Sequence, residues 1–324
     1  MARLLIYEYC TALGLGREPS DPAHSLYREG QAMRSAVMAA FANVPGIMLD
    51  PINDLTEANE EAELKEQAQG CELAIVIAPE FQSLLLTRTR WLRESGCQVL
   101  GSTDDALRFT SDKFALARHW HHQGIPTPTT DLADVAPRFP CVVKPREGAG
   151  STATRLVHRP EEYAEAIAAV RESPAGEPLV QEYTPGMPVS VSFLVGPGII
   201  QPLLPGRQRL SSDGHFHYQG GEFPLRGEEA ERAVRLARRA IEVVPGLHGY
   251  VGVDLILGPD PSGRDDRAIE INPRFTTSIV GLVALARGSL GQALLRVTAG
   301  QPVELDWTPG TLSFGPDGSL VEPG

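Results

Sequence analysis

The stretch RAIEINPRFTTS, Arg267 to Ser278, sets a carboxylate, a carboxamide and a guanidinium at alternate positions: Glu270, Asn272 and Arg274. Side chains alternate faces along a strand, so the three share one side of it. Two oxygen donors followed by a cation suit a magnesium-bound phosphate, and they suit a solvated polar edge as well. Asp254 weighs toward the first reading. It lies inside GYVGVDLIL, where an unpaired charge in an apolar strand is costly. If the two strands form a hairpin that pairs Leu257 with Arg267, Asp254 falls opposite Glu270. Facing carboxylates repel unless a cation sits between them. Asp254, Glu270 and Asn272 are therefore candidate ligands for Mg2+, with Mn2+ as the alternative hard cation.

A second group could bind the phosphates themselves. In VVKPREGAGST, Lys144 ends an apolar strand directly before a loop carrying Glu147, Gly148, Gly150, Ser151 and Thr152. Glycines let backbone approach a phosphate closely, and free amides with an ammonium offset its charge. The lysine precedes the glycines, so this is not a Walker A loop. RLV after it reads as a return strand, which would make the loop a β-hairpin lid; an ordinary hairpin turn would look the same. In LVQEYTPG, a strand ends at Gln181, Glu182 and Tyr183, whose polar edge could read an adenine. Lys113 falls in the first turn of a helix capped by Ser111 or Asp112. A cation is poorly placed there for the helix dipole, which favours a phosphate contact. His119, His121 and His122 do not share one helix face and read as surface residues. Glu8, Glu29 and Glu80 are carboxylates that could hold an amine.

Positioning these groups requires the elements around them. Up to residue 102, apolar runs (RLLIYEY, IMLD, CELAIVIAPE, CQVLGS) alternate with helical segments, the pattern of a parallel, doubly wound sheet. No G-x-G-x-x-G follows the first strand, so a dinucleotide fold is not supported. From Thr103 the order becomes helix, strand, glycine loop, strand, helix, then two strands around a proline–glycine turn. A polar loop from Ser211 to Glu222, a helix, the Asp254 hairpin and a helical SIVGLVALARGSLGQALLRVTAG follow. The reading divides the chain into an N-terminal α/β substrate domain (1–102), a small subdomain with the glycine lid (103–188), a central metal-binding subdomain (189–300) and an irregular surface extension (301–324).

The 324 residues carry 29 basic and 41 acidic side chains, a net charge of −12, with no run of Lys or Arg. That balance disfavours nucleic acid and anionic membranes as partners. The four cysteines show no C-x-x-C spacing and read as reduced thiols of a cytoplasmic protein. No apolar run approaches the roughly 18 residues of a membrane span.

Taken in order, SDKFALARHWHHQGIPTP, FPCVVKPREGAGST, LVQEYTPGMPVSVSF and GVDLIL…AIEINPRFT resemble the ATP-grasp superfamily over residues 103–280. The resemblance implies an N-terminal α/β (pre-ATP-grasp) domain followed by two α+β subdomains with ATP between them. It implies phosphate contacts from Lys113 and Lys144, closure of the loop 147–152 over the phosphates, and adenine held by the segment 181–183. Magnesium would be held at Asp254, Glu270 and Asn272, with Arg274 near an acyl phosphate. Many members carry a ribose-binding glutamate where this chain has Pro188. The G-x-P-x-S-V-S segment is similar to the group containing the tyramine–glutamate ligases of methanofuran synthesis. The expectation is an ADP-forming carboxylate–amine ligase acting on small molecules, glutamate with tyramine or a related cofactor precursor. Catalysis would rest on Lys144 and Arg274, helped by Arg207, and the family suggests a homodimer. D-alanine-type ligation is the runner-up, and a non-ligating nucleotide-binding regulator is the alternative of another class.

Overall fold

Three sheets, each built where the apolar pattern demands one, meet around a single cleft in the computed structural model, which describes residues 1–21, 23–148, 150–174 and 176–321. The first lobe runs β1 (Ala2–Glu8), α1 (Tyr9–Leu13), α2 (His24–Phe41), β2 (Ile47–Pro51), α3 (Glu60–Gln67), β3 (Leu73–Ile77), α4 (Leu84–Glu94) and β4 (Gln98–Val99). Its strands are all parallel in the order β2-β1-β3-β4. A parallel sheet is covered by helices on both faces, hence the continuous apolar run Leu4–Tyr7, each residue 0% exposed.

The segment after Thr103 is not one helix but two, α5 (Asp104–Ser111) and α6 (Lys113–His122). Asp112 separates them in an extended conformation and accepts hydrogen bonds from the N–H groups of Phe114 and Ala115, at 3.1 and 3.0 Å. This is the capping chemistry expected of Asp at a helix start. A second, antiparallel sheet follows from β5 (Thr130–Leu132), β6 (Cys141–Pro145), β7 (Arg155–Val157), α7 (Pro160–Glu172) and β8 (Pro178–Glu182), in the order β5-β8-β6-β7. The glycine loop joins β6 to β7 and is a hairpin, as its sequence suggests.

The chain then crosses to a third sheet at Gly186, where φ is 156° and a Cβ would lie 2.4 Å from the Leu257 carbonyl. Only glycine permits that crossing. The third sheet comprises β9 (Met187–Gly196), β10 (Ile199–Pro202), β11 (Gly206–Leu210), β12 (Tyr218–Phe223), α8 (Gly227–Glu242), β13 (Gly249–Leu257), β14 (Arg267–Asn272), α9 (Ser278–Leu285), α10 (Leu290–Thr298), β15 (Leu312–Phe314) and β16 (Leu320–Val321). Its order is β14-β13-β9-β11-β12-β15-β16, with β10 paired to β9.

Three sequence expectations change here. The polar loop 211–222 ends in strand β12. The single helix after Ser278 is broken into α9 and α10, with Ser289 Oγ accepting from the Gln292 N–H at 3.0 Å. The tail is not an irregular surface extension: β15 joins β12, Phe314 is 0% exposed, and Asp317 forms an ion pair with Arg28 of α2. Residues 322–324 lie outside the described residues. Phe314 belongs to a core that also holds Leu4, Ile6, Phe41, Phe223, Ile279 and Leu294, so tail, first lobe and third sheet share one apolar interior.

The Asp254 hairpin departs from the register expected of it. Asp254 does pair with Glu270, but Arg267 faces Ile256 rather than Leu257, because a bulge between the Asp254 and Leu255 pairs takes up an extra residue at Ile269. The long turn between β13 and β14 is tied down from beneath. Asp266, 6% exposed at its side chain, pairs with the buried Arg232 of α8 and accepts from the Gly258 N–H at 3.0 Å. Removing one partner leaves an uncompensated buried charge. Asp266→Ala is expected to lower unfolding free energy by about 3–5 kcal/mol, read by urea denaturation; a change under about 1 kcal/mol would show that this pair does not hold the hairpin.

Candidate active site

The site is assembled from the ends of elements. Arg146, just after β6, makes a two-pronged contact with Asp112, Nε to Oδ1 at 2.9 Å and Nη2 to Oδ2 at 2.6 Å, while its Nη1 reaches Glu177 at 3.0 Å. The Lys113 N–H donates to the Arg146 carbonyl at 3.1 Å. The start of α6 is thereby clamped to the end of β6, and Lys113 and Lys144 are brought to one side of the cleft. Bidentate guanidinium–carboxylate pairs are among the stronger and more directional polar contacts.

Lys144 is 6% exposed and donates to Gln181 Oε1 at 2.9 Å; the Gln181 amide in turn donates to Thr130 Oγ1 at 2.9 Å. Burial pushes the Lys144 ammonium down to about 8, the carboxylates of Glu270 and Asp254 opposing that shift. Lys113 Nζ donates to the Gly148 carbonyl at 2.7 Å and stands 3.4 Å from Glu270 Oε2. Across the cleft, Asp254 and Glu270 are register partners, and Ser190 of β9 pairs with Asp254 from the other side. Gln208 Nε2 donates to Asp254 Oδ1 at 2.9 Å, and Asn272 Nδ2 to Asp254 Oδ2 at 3.0 Å. Burial, with the neighbouring Glu270, pushes the Asp254 carboxyl up to about 7. Burial opposes ionisation of Glu270 too, but Lys113 and Lys144 outweigh it and hold that carboxyl below its ordinary value. Among the described residues no trio of His, Cys, Asp or Glu side chains converges. The set here is two carboxylates and a carboxamide, oxygen chemistry suited to a hard cation.

Arg274 stands at the end of β14, locked by Glu80 of the first lobe: Nε lies 2.8 Å from Oε1, and Nη2 donates to Oε2 at 3.1 Å. Glu29 of α2 lines the same cleft and accepts from Thr277 Oγ1 at 2.5 Å. Glu8 does not face the cleft; it caps α1 through the N–H groups of Cys10 and Thr11, at 3.3 and 2.8 Å. The lid carries Gly148, Gly150, Ser151 and Thr152 onto the cleft wall. Its far side docks on the β11–β12 loop, with Ser151 Oγ donating to the Phe216 carbonyl at 2.8 Å and the Leu156 N–H to that of Gly214 at 2.7 Å.

Several expected residues sit differently. Arg207 does not line the cleft: alternation along β11 turns Gln208 inward and leaves Arg207 exposed on the other face, paired with Val189 and Glu222. Glu147 lies in the lid loop but is not among the cleft-lining residues. Gln181 is no free reader of a base, since its amide is committed to Lys144 and Thr130; Glu182 and Tyr183 line the cleft beyond it. His121 and His122 are exposed, whereas His119 packs edge-on against Phe109 with Nε2 2.7 Å from the Val243 carbonyl. Sequence reasoning missed Gln208, Tyr218 and Ser190. The serines in PVSVSF, at period 2 in a buried strand, were the one available signal.

Residues 110–278 match the model of the ATP-grasp domain, and residues 47–107 that of the pre ATP-grasp 3 domain. Tyramine--L-glutamate ligase of Methanocaldococcus jannaschii is 26% identical over 297 residues, 86% of this chain and 84% of that protein. D-alanine--D-alanine ligase of Gloeobacter violaceus is 28% identical over 222 residues, 61% of this chain and 70% of the other. A crystal structure of an ATP-grasp superfamily protein from Archaeoglobus fulgidus superposes with a TM-score of 0.72 at 26% identity, covering 97% of this chain and 92% of its own. With its ATP-grasp match spanning more than half the chain, behind a pre-ATP-grasp segment and a parallel N-terminal sheet, this protein belongs to the ATP-grasp family.

Proposed function

We propose that this chain is an ATP-dependent carboxylate–amine ligase that forms an amide through an acyl phosphate and releases ADP. The observation that carries this reading is the meeting of two lysines with two facing carboxylates across one cleft, roofed by a glycine hairpin. Lys113 and Lys144 offset the charge of the β- and γ-phosphates, and the lid supplies backbone amides to the same oxygens. Asp254, Glu270 and Asn272 would hold Mg2+, because facing, half-buried carboxylates repel without a cation between them and the Asn272 oxygen accepts no hydrogen bond from the described residues. A metal held there would supply positive charge to offset that of the phosphates.

Catalysis is then positioning. The acid's carboxylate oxygen attacks the γ-phosphorus in line as ADP leaves, and Arg274, held rigid by Glu80, faces the charge that spreads over the transferred group. The amine next attacks the acyl carbon and phosphate departs. Glutamate with tyramine is the preferred substrate pair, supported by a relative of that activity aligned across 86% of this chain. The D-alanine-type relative aligns over a smaller share, 61%.

ADP release from Mg-ATP should require both an acid and an amine, beginning with glutamate and tyramine. ATP binding without turnover over a broad panel of acids and amines would sink the ligase reading. Glu270→Gln should keep the thermal transition and lower kcat by about 10²–10³, the order lost when one group facing transition-state charge is removed; near-normal turnover at ordinary magnesium would take Glu270 out of the site. Metal affinity should also follow pH. Asp254 must be ionised to hold a cation and its carboxyl is pushed up to about 7, so below pH 7 the metal has to displace a proton. Mg2+ titrations beside a non-hydrolysable ATP analogue should weaken by about tenfold per unit below pH 7 and level off above it. A flat profile from pH 6 to 8 would remove Asp254 from the ligand set.

A further inference from the structure

The ligase reading leaves one proton unassigned. An alkyl amine is an ammonium at neutral pH, with a pKa of about 10, and it cannot attack until it loses a proton. The cleft-lining carboxylates are Glu29, Glu182, Asp254 and Glu270. Asp254 and Glu270 face the lysines, and Glu182 is exposed at the far end beside Tyr183. Glu80, the other carboxylate near this wall, is occupied by Arg274.

Glu29 differs from all of these. It enters from α2 of the first lobe and meets the segment just beyond Arg274, where Thr277 Oγ1 donates to its Oε1 at 2.5 Å. Among the described residues nothing donates to its Oε2, so one oxygen is oriented by Thr277 and the other is left for a ligand. The charged and titratable groups facing it are Arg274 after β14, Tyr218 on β12 and Cys10 on α1. Burial raises its carboxyl above the ordinary range, and Thr277 and Arg274 offset this only in part, which makes it a stronger proton acceptor than an exposed glutamate.

We propose that Glu29 is the general base that takes the proton from the ammonium of the amine substrate. The inference rests on the ligase reading. One proton passes from the ammonium nitrogen to Glu29. The freed lone pair then forms the C–N bond while the acyl C–O bond breaks, its electron pair leaving on phosphate. The second nitrogen proton departs with that group as hydrogen phosphate, and Glu29 returns its own proton to water.

The test compares two nucleophiles with glutamate and Mg-ATP: tyramine, which must be deprotonated, and hydroxylamine, which is uncharged at neutral pH and traps the acyl phosphate as a hydroxamate. Glu29→Gln should lower tyramine-dependent amide formation at pH 7 by about 10²–10⁴, the usual worth of a positioned base. Hydroxamate formation should stay within a few-fold of the unmodified chain, and the amide deficit should shrink as pH rises toward 10. Glu29→Ala should regain part of its amide rate with added formate. Equal losses for both nucleophiles, or no loss with tyramine, would overturn the assignment of the base alone. An unmodified chain that gives neither ADP nor hydroxamate with glutamate would instead overturn the substrate reading beneath it.

Discussion

Two carboxylates held face to face in a half-buried position are the constraint from which the rest of this site follows. Asp254 and Glu270 are register partners, so their charges cannot move apart without unpairing β13 from β14. Burial raises the energy of both anions, and neither can be left uncompensated. The protein's answer is positional. Lys113 and Lys144 stand on the opposite wall, and hydrogen bonds from Gln208 and Asn272 are given to Asp254. On the ligase reading proposed above, the same arrangement suits a hard cation and the phosphates that accompany one.

Each cation in the cleft is steadied by a partner on another element. Gln181 of β8 orients Lys144, the Asp112–Arg146 pair brings the start of α6 beside β6, and Glu80 from the first lobe locks Arg274. Such ties reduce the freedom of long basic side chains before any substrate arrives, and a site preorganised in this way loses less on reaching its transition state. They also join the lobes. The first lobe supplies Glu80 and Glu29, the second sheet the lysine and lid, and the third the carboxylates; a shared apolar core beneath α2, α9 and Phe314 keeps the first and third in register.

Much of the fold could be read from the chain. The apolar runs of the first 100 residues are continuous because a parallel sheet is buried on both faces, and the β6–β7 hairpin was signalled by glycines between two apolar strand segments. A cap at Ser111 or Asp112 was legible because short polar side chains are favoured before a helix, and the structure uses Asp112. Gln208 and Tyr218 gave no such signal. They lie in a polar stretch that becomes strand only because β9 and β15 offer it partners, a non-local gain that local propensity does not register. Phe314 was hidden for the same reason: a proline-rich tail looks irregular until its phenylalanine is seen filling the core.

The sequence by itself determined the chemistry available: which carboxylates, lysines and glycines stand at strand ends, and that the Asp254 and Glu270 strands would carry oxygen donors on a shared face. Period-2 alternation is local, and it survives whatever the strands pack against. Tertiary structure decided which of those groups meet. It passed over Arg207 in favour of Gln208, which a half-turn of β11 separates. It placed Glu29 opposite Thr277, 248 residues along the chain. It also reached the Asp254–Glu270 pairing through a bulge that no count of residues around the turn would place. Register, face selection and contact between distant segments depend on strand pairing and shared burial across the whole chain, and these are settled only when all three sheets close on one cleft.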